Sequence, residues 1–268
     1  MARQGKGQRL RSDCSRRAAL GLSLGALVAA CRSRSEPEAA AAVSAEPEVE
    51  PGPYGGLEVT TGGDLGEDAR GGTAVVLLHG FGAAGNDLVS LARALAQPRT
   101  RYVVPAGLLT LPSGGSAWWQ LDKRPTYDAE QELVVEGTDL LRARRAVLGV
   151  VATLRERYAP DALFVAGFSQ GAMLALDVAL QPKARVDRVA VLSGALPRDS
   201  GRALGRRSKQ RPLVFVSHGR QDRVLRFAGA EHLVKRLEAA DYSVSFRPFD
   251  GGHEIPEGTR EALKDFFS

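Results

Sequence analysis

From about Tyr54 onward the chain alternates short apolar runs with longer stretches of helical periodicity. Seven runs read as strands: Leu57–Thr61, Ala74–Leu78, Tyr102–Pro105, Leu163–Ala166, Val189–Leu192, Leu213–Ser217 and Ser243–Pro248. Several are apolar without interruption, as strands covered on both faces are. Between them fall helix-like segments at Asn86–Ala96, Asp128–Tyr158, Ala172–Leu180, Phe227–Ala239 and Gly258–Phe267. Asp128–Tyr158 places apolar residues near Leu133, Leu140, Val147, Val151 and Leu154, with arginines opposite and Gly137 and Gly149 as points of bending. Ala172–Leu180 is apolar nearly all round, which predicts a helix buried against a sheet. The order predicts an α/β fold: a mostly parallel central sheet with helices on both faces, and a ligand site at the carboxyl ends of its strands.

The first 54 residues follow different rules. Residues 1–31 combine a basic stretch ending at Arg17 with an apolar run, Ala18–Ala30, that is short for a bilayer span. This reads as an export signal. Its ending, Leu27-Val28-Ala29-Ala30-Cys31, resembles a bacterial lipobox, which implies lipidation of Cys31. Ser15-Arg16-Arg17 also resembles the start of a twin-arginine signal, so the export route stays open. Residues 32–54, rich in Ala, Glu and Pro, read as a tether. The expectation is therefore an exported protein of a bacterial cell envelope, held to a membrane by an N-terminal lipid anchor. Secreted or periplasmic release is the alternative.

Composition is ordinary for a globular protein, with 44% hydrophobic and 25% charged residues in 268. The formal charge of +5 is confined to the leader, because residues 32–268 carry 30 basic and 30 acidic side chains. No basic stripe with interleaved aromatics occurs, which argues against nucleic acid as a partner. The only cysteines are Cys14 and Cys31, so residues 55–268 contain no thiol for catalysis or for a disulfide.

The chemistry points to Gly167-Phe168-Ser169-Gln170-Gly171, between a strand and a helix. Such a turn exposes the serine hydroxyl beside the first amides of the helix, and its glycines relieve crowding around a strained residue. A serine hydroxyl needs a general base and a carboxylate to orient that base. His253, in Gly251-Gly252-His253-Glu254, is the candidate base, and Asp222, in the loop after Leu213–Ser217, the candidate acid. Asp199, Asp250 and Glu254 compete for that role, while His218 reads as a loop-shaping residue and His232 as a helix-face residue. The Phe81 and Gln170 backbone N–H groups are candidate oxyanion donors. Trp118 and Trp119 are candidates for lining a substrate pocket, at least one of them being core. No Cys/His cluster has metal-ligand spacing, and no cofactor is expected.

These residues carry a family resemblance across nearly all of 55–268. Leu77-Leu78-His79-Gly80-Phe81-Gly82 with Gly85-Asn86-Asp87, Ser116-Ala117-Trp118-Trp119, Gly167 to Met173, Leu192 to Pro197, and the pair His218 to Asp222 and Gly251 to Ile255 resemble the phospholipase/carboxylesterase family of α/β-hydrolases, which includes the acyl-protein thioesterases. The resemblance implies an α/β-hydrolase fold, Ser169, Asp222 and His253 as a catalytic triad, and the Phe81 and Gln170 amides as the oxyanion hole. The implied activity is hydrolysis of a carboxylic ester through an acyl-enzyme. A thioester or lysophospholipid substrate is the alternative, and a non-catalytic binding lipoprotein a further one.

Overall fold

The computed structural model describes residues 53–268 except 67, 86, 122–124, 136–137 and 205–210. The export signal, Cys31 and nearly all of the tether lie outside the described residues. A seven-stranded sheet organises the rest. Its strands are β1 (Val59–Gly63), β2 (Thr73–Leu78), β3 (Thr100–Pro105), β6 (Ala162–Phe168), β7 (Arg188–Leu192), β8 (Leu213–Gly219) and β9 (Val244–Phe249), with the hairpin β4 (Leu109–Thr110) and β5 (Ser116–Ala117) standing apart. The spatial order is β1-β3-β2-β6-β7-β8-β9. Only β1 runs antiparallel to its neighbour.

Alternation along each strand divides the core into two layers. On β2, Ala74, Val76 and Leu78 face helices α2 (Asp139–Tyr158), α3 (Gln170–Ala179) and α5 (Phe227–Ala239). Val75 and Leu77 face α1 (Val89–Ala94) and α6 (Glu257–Phe267). The other parallel strands repeat this division, with Val165, Val189 and Val214 on one side and Phe164, Ala190 and Phe215 on the other. Both faces being covered explains the unbroken apolar runs in the sequence. All ten residues of α3 are buried, as its all-round apolarity requires.

The chain moves outward from β2 to β3 and then returns to place β6 on the other side of β2. That reversal opens a crevice at the carboxyl ends of β2 and β6, the usual ligand position in such sheets. The loop at 79–82 and the serine turn at 167–171 both lie there.

Two expectations need correction. The predicted helix Asp128–Tyr158 begins only at Asp139. Residues 127–135 are held as bridges and turns, with Leu133 N–H donating to the Leu196 carbonyl at 2.7 Å and Arg198 N–H to the Leu133 carbonyl at 2.8 Å. The buried Glu132 carboxylate pairs with Arg236 of α5. A short helix, α4 (Arg198–Leu204), was not expected at all. It belongs to the same correction, because a Cβ on its Gly201 would come within 2.4 Å of the Glu132 carboxylate oxygens.

The serine turn is fixed by close backbone approach. A Cβ on Gly167 would stand 2.1 Å from the Gly171 carbonyl oxygen, and one on Gly171 would stand 2.1 Å from that of Leu78. Neither partner is a flexible side chain, so Gly171→Ala is expected to destabilise by about 2–4 kcal/mol. Gly258→Ala, where an added Cβ meets nothing within 4 Å, is expected to be neutral or slightly stabilising. Urea denaturation of both variants checks the contrast.

Candidate active site

Ser169 sits between β6 and α3 with φ 54° and ψ −116°. A non-glycine residue there carries strain of roughly 1–3 kcal/mol. The strand below and the buried helix above hold it, and its N–H donates to the Leu192 carbonyl at 2.9 Å. His253 follows β9 and Asp222 follows β8. Their loops meet because Gly219 has no side chain: a Cβ there would be 2.2 Å from the Gly252 carbonyl oxygen. The Gln221 N–H bonds the Gly251 carbonyl at 2.9 Å and joins the two loops directly.

The three side chains form one line. Ser169 Oγ lies 2.9 Å from His253 Nε2, and His253 Nδ1 lies 2.7 Å from Asp222 Oδ2. A carboxylate accepts, so Nδ1–H donates to it, and Nε2 is left to accept the serine proton. Asp222 Oδ1 accepts the Val224 and Leu225 N–H groups at 2.8 and 2.9 Å. The Phe168 ring stands 4.8 Å from the His253 ring and limits its tilt. The rival acids are engaged elsewhere. Asp250 is exposed beside Arg220, Asp199 pairs with Arg202, and Glu254 accepts the Gly252 N–H.

The loop after β2 packs directly on the serine, since a Cβ on Gly80 would stand 3.4 Å from Ser169 Cβ. His79 shapes this loop and is fully buried. Its Nε2 accepts the Gly107 N–H at 2.9 Å, so Nδ1 carries the proton and donates to the Gly80 carbonyl at 2.7 Å. The Gly80–Phe81 peptide is thereby pinned by its oxygen, and the Phe81 N–H, on the opposite side of the same plane, turns away from His79. Among the described residues the Phe81 N–H has no hydrogen-bond acceptor. Gln170 opens α3, where the first amides have no carbonyl one turn earlier to bond.

Trp118 and Trp119 belong to the core and not to a pocket wall, at 1% and 2% exposure. Trp118 stacks on His79 and its indole N–H donates to the His79 carbonyl at 3.0 Å. The buried Gln170 side chain grips both tryptophans. Its Oε1 accepts the Trp118 N–H at 2.9 Å and its Nε2 donates to the Trp119 carbonyl at 2.8 Å. This clasp was invisible in the sequence, where Gln170 counted only as a backbone donor. Phe81, on the loop that packs against Ser169, and Val224, whose N–H bonds Asp222, are exposed apolar side chains beside the line. Among the described residues, no group of three His, Cys, Asp or Glu side chains is placed to hold a metal ion.

A family model described as phospholipase/carboxylesterase matches residues 67–268. The chain belongs to the phospholipase/carboxylesterase family. Within that family of α/β-hydrolases it is a serine hydrolase acting on carboxylic ester bonds. A "probable carboxylesterase" of Oryza sativa subsp. japonica is 26% identical over 211 residues, covering 74% of this chain and 77% of that protein. A "probable carboxylesterase SOBER1-like" of Arabidopsis thaliana is 25% identical over 216 residues, covering 74% and 79%. The crystal structure of esterase PE8 superposes with a TM-score of 0.63 at 23% identity, covering 79% of this chain and 97% of that one, and supports the fold.

Two buried imidazoles couple this esterase's stability to pH. Burial pushes both His79 and His218 below the ordinary value of 6.5. The folded state keeps them neutral while the unfolded chain protonates them, so the unfolded state binds more protons on the acid side. Stability is thus expected to be full above about pH 6.5 and to fall as the pH drops below it toward the depressed folded values. Urea midpoints between pH 7.5 and 5.5 check this, and a His79→Asn variant should show a shallower acid loss.

Proposed function

We propose that the protein hydrolyses carboxylic esters with Ser169 as nucleophile, His253 as general base and acid, and Asp222 as the carboxylate that orients His253. The observation that carries this is the unbroken hydrogen-bonded line from Ser169 Oγ through both nitrogens of His253 to Asp222 Oδ2. Ser169 Oγ attacks the ester carbonyl carbon as its proton passes to His253 Nε2. The new C–O bond leaves a tetrahedral oxyanion, which accepts the Phe81 and Gln170 N–H groups. Each such donor contributes about 2.7–4 kcal/mol to the transition state. The alcohol C–O bond then breaks, and His253 returns its proton to the leaving oxygen. Water, giving its proton to the same nitrogen, attacks the acyl-serine carbonyl; the bond to Ser169 Oγ then breaks, the acid leaves and His253 returns the proton to Ser169 Oγ.

Substrate choice follows from the rim. Phe81 and Val224 expose 38% and 54% of their surface on the loops after β2 and β8 that carry the reacting groups' partners. That favours an apolar acyl or alcohol group. A thioester or a lysophospholipid would pass through the same steps, and rate profiles across p-nitrophenyl esters and matched thioesters separate these substrates. A fluorophosphonate probe should label the wild type and leave Ser169→Ala unlabelled; labelling of Ser169→Ala would sink the assignment. Asp222→Asn should label slowly and lose about 10⁴ in kcat, because the amide favours the wrong tautomer of His253.

The leader supports a second element of the reading, a lipid anchor on Cys31 in a bacterial cell envelope. The lipobox-like ending and the uncharged apolar run before it favour this. Detergent partitioning tests it: wild-type protein should enter the detergent phase and Cys31→Ala the aqueous phase. Retention of Cys31→Ala in detergent overturns the anchor without touching the catalytic assignment.

A further inference from the structure

His218 has no place in the mechanism above, yet it touches the catalytic carboxylate. It occupies the end of β8, fully buried. Its Nε2 lies 3.0 Å from the Leu225 carbonyl oxygen and 3.1 Å from Asp222 Oδ2. Both neighbours are acceptors, so Nε2 carries the proton; it hydrogen-bonds the Leu225 carbonyl and stands within ion-pair distance of Asp222 Oδ2. Among the described residues, four donor groups therefore lie within 3.1 Å of the Asp222 carboxylate. Oδ1 takes the Val224 and Leu225 N–H groups, and Oδ2 takes His253 Nδ1–H at 2.7 Å with His218 Nε2 at 3.1 Å. The opposite nitrogen of His218, Nδ1, is buried and has no hydrogen-bond partner among the described residues. A buried unpartnered nitrogen is a cost that an apolar side chain of similar size would avoid. The ring's use therefore lies in its Nε2–H.

We propose that His218 is a positioning residue for ester hydrolysis, donating to Asp222 Oδ2 so that this oxygen stays aligned on His253 and part of its negative charge is taken up from behind. The proposal rests on the Ser169–His253–Asp222 reading and deepens it. Burial lowers the proton affinity of His218, which favours the neutral ring as a donor. Without this donor, the carboxylate charge acts on His253 alone and favours the imidazolium. The base then protonates at higher pH, and the acid limb of kcat/KM moves upward. The carboxylate is also freer to rotate, which lowers kcat. KM is left nearly unchanged, because His218 is shielded from any substrate.

Other charged or titratable groups near this line are Arg226, which lies 4.1 Å over the neutral Tyr127 ring, Glu254 on the Gly252 N–H, and Arg220 beside Asp250. All are retained in the variants below, so a moved limb reports on position 218. His218→Leu removes the donor. His218→Gln places an amide N–H near the position of Nε2 without a titrating group. In the full chain, with active sites counted by fluorophosphonate, His218→Leu should lose about 10–100-fold in kcat. Its KM should stay within about twofold, and its acid limb should rise by about half a pH unit or more. His218→Gln should recover most of the rate and restore the limb. Equal losses in both variants with an unmoved limb would mean a merely structural ring and overturn the proposal, as would full activity in His218→Leu. Should the leucine variant fail to fold, nitrogen-15 NMR of the wild type decides alone. His218 should be the Nε2–H tautomer from pH 6 to 8, and an Nδ1–H tautomer would overturn the proposal. Activity surviving in Ser169→Ala would instead defeat the underlying triad, a result distinct from any of these.

Discussion

The contact between two backbone segments at Gly171 governs the rest of the molecule. The carbonyl of Leu78 lies where a side chain on Gly171 would have to go. Helix α3 can therefore descend onto the end of β2, and the serine turn is clamped between them. Ser169 keeps its positive φ because both flanks are over-determined, by β6 within the sheet and by the buried α3. The same contact sets the distance from the serine to the loop at 79–82. A larger residue would separate Ser169 from Gly80 and Phe81 before it changed anything else.

Around this contact the site is braced by buried polar groups, each with a defined hydrogen-bonding direction. His79 turns the Gly80–Phe81 peptide, Trp118 holds the His79 carbonyl, and Gln170 holds Trp118 and Trp119. The circuit returns to the residue next to Ser169. Such a network is costly when incomplete and rigid when satisfied. It explains why two large indoles close to an active site expose almost nothing to solvent. Their rings fill the core, and their backbones and the Trp118 indole N–H brace the loop at 79–82 and the start of α3.

The sheet was legible because burial on both faces leaves apolar runs with no competing pattern; each of the seven strands was anticipated within a few residues of its observed position. The Ser169, His253 and Asp222 side chains, separated in sequence, come together because each follows a strand at the same sheet end. What failed depended on partners distant in sequence. Leu133 is in phase with α2 and reads as helix, but its N–H and carbonyl are taken by Leu196 and Arg198. Glu132 looks like a surface charge and is instead buried against Arg236 and Gly201. Helix α4 gives little periodic signal because it is short and carries Ser200, which donates to the buried Asp177 at 2.6 Å. The overlong helix and the missed helix are one error, since the segment before α2 is stretched out to dock against α4 and α5.

Charge and apolar surface divide the remaining work. Residues 32–268 balance 30 basic against 30 acidic side chains, so the region carries no net charge to draw a charged substrate from a distance. Selection then falls to contact at the rim, where Phe81 and Val224 flank the proposed oxyanion and acid loops. Both are attached to machinery that must not move. Phe81 follows a peptide pinned by His79, and Val224 N–H is itself a donor to Asp222. An acyl group resting on these side chains presses on the backbone that holds the catalytic groups. Under the proposed mechanism, substrate fit should therefore register in kcat as well as in KM, because the surface that recognises the ester and the framework that aligns the chemistry are the same few peptides.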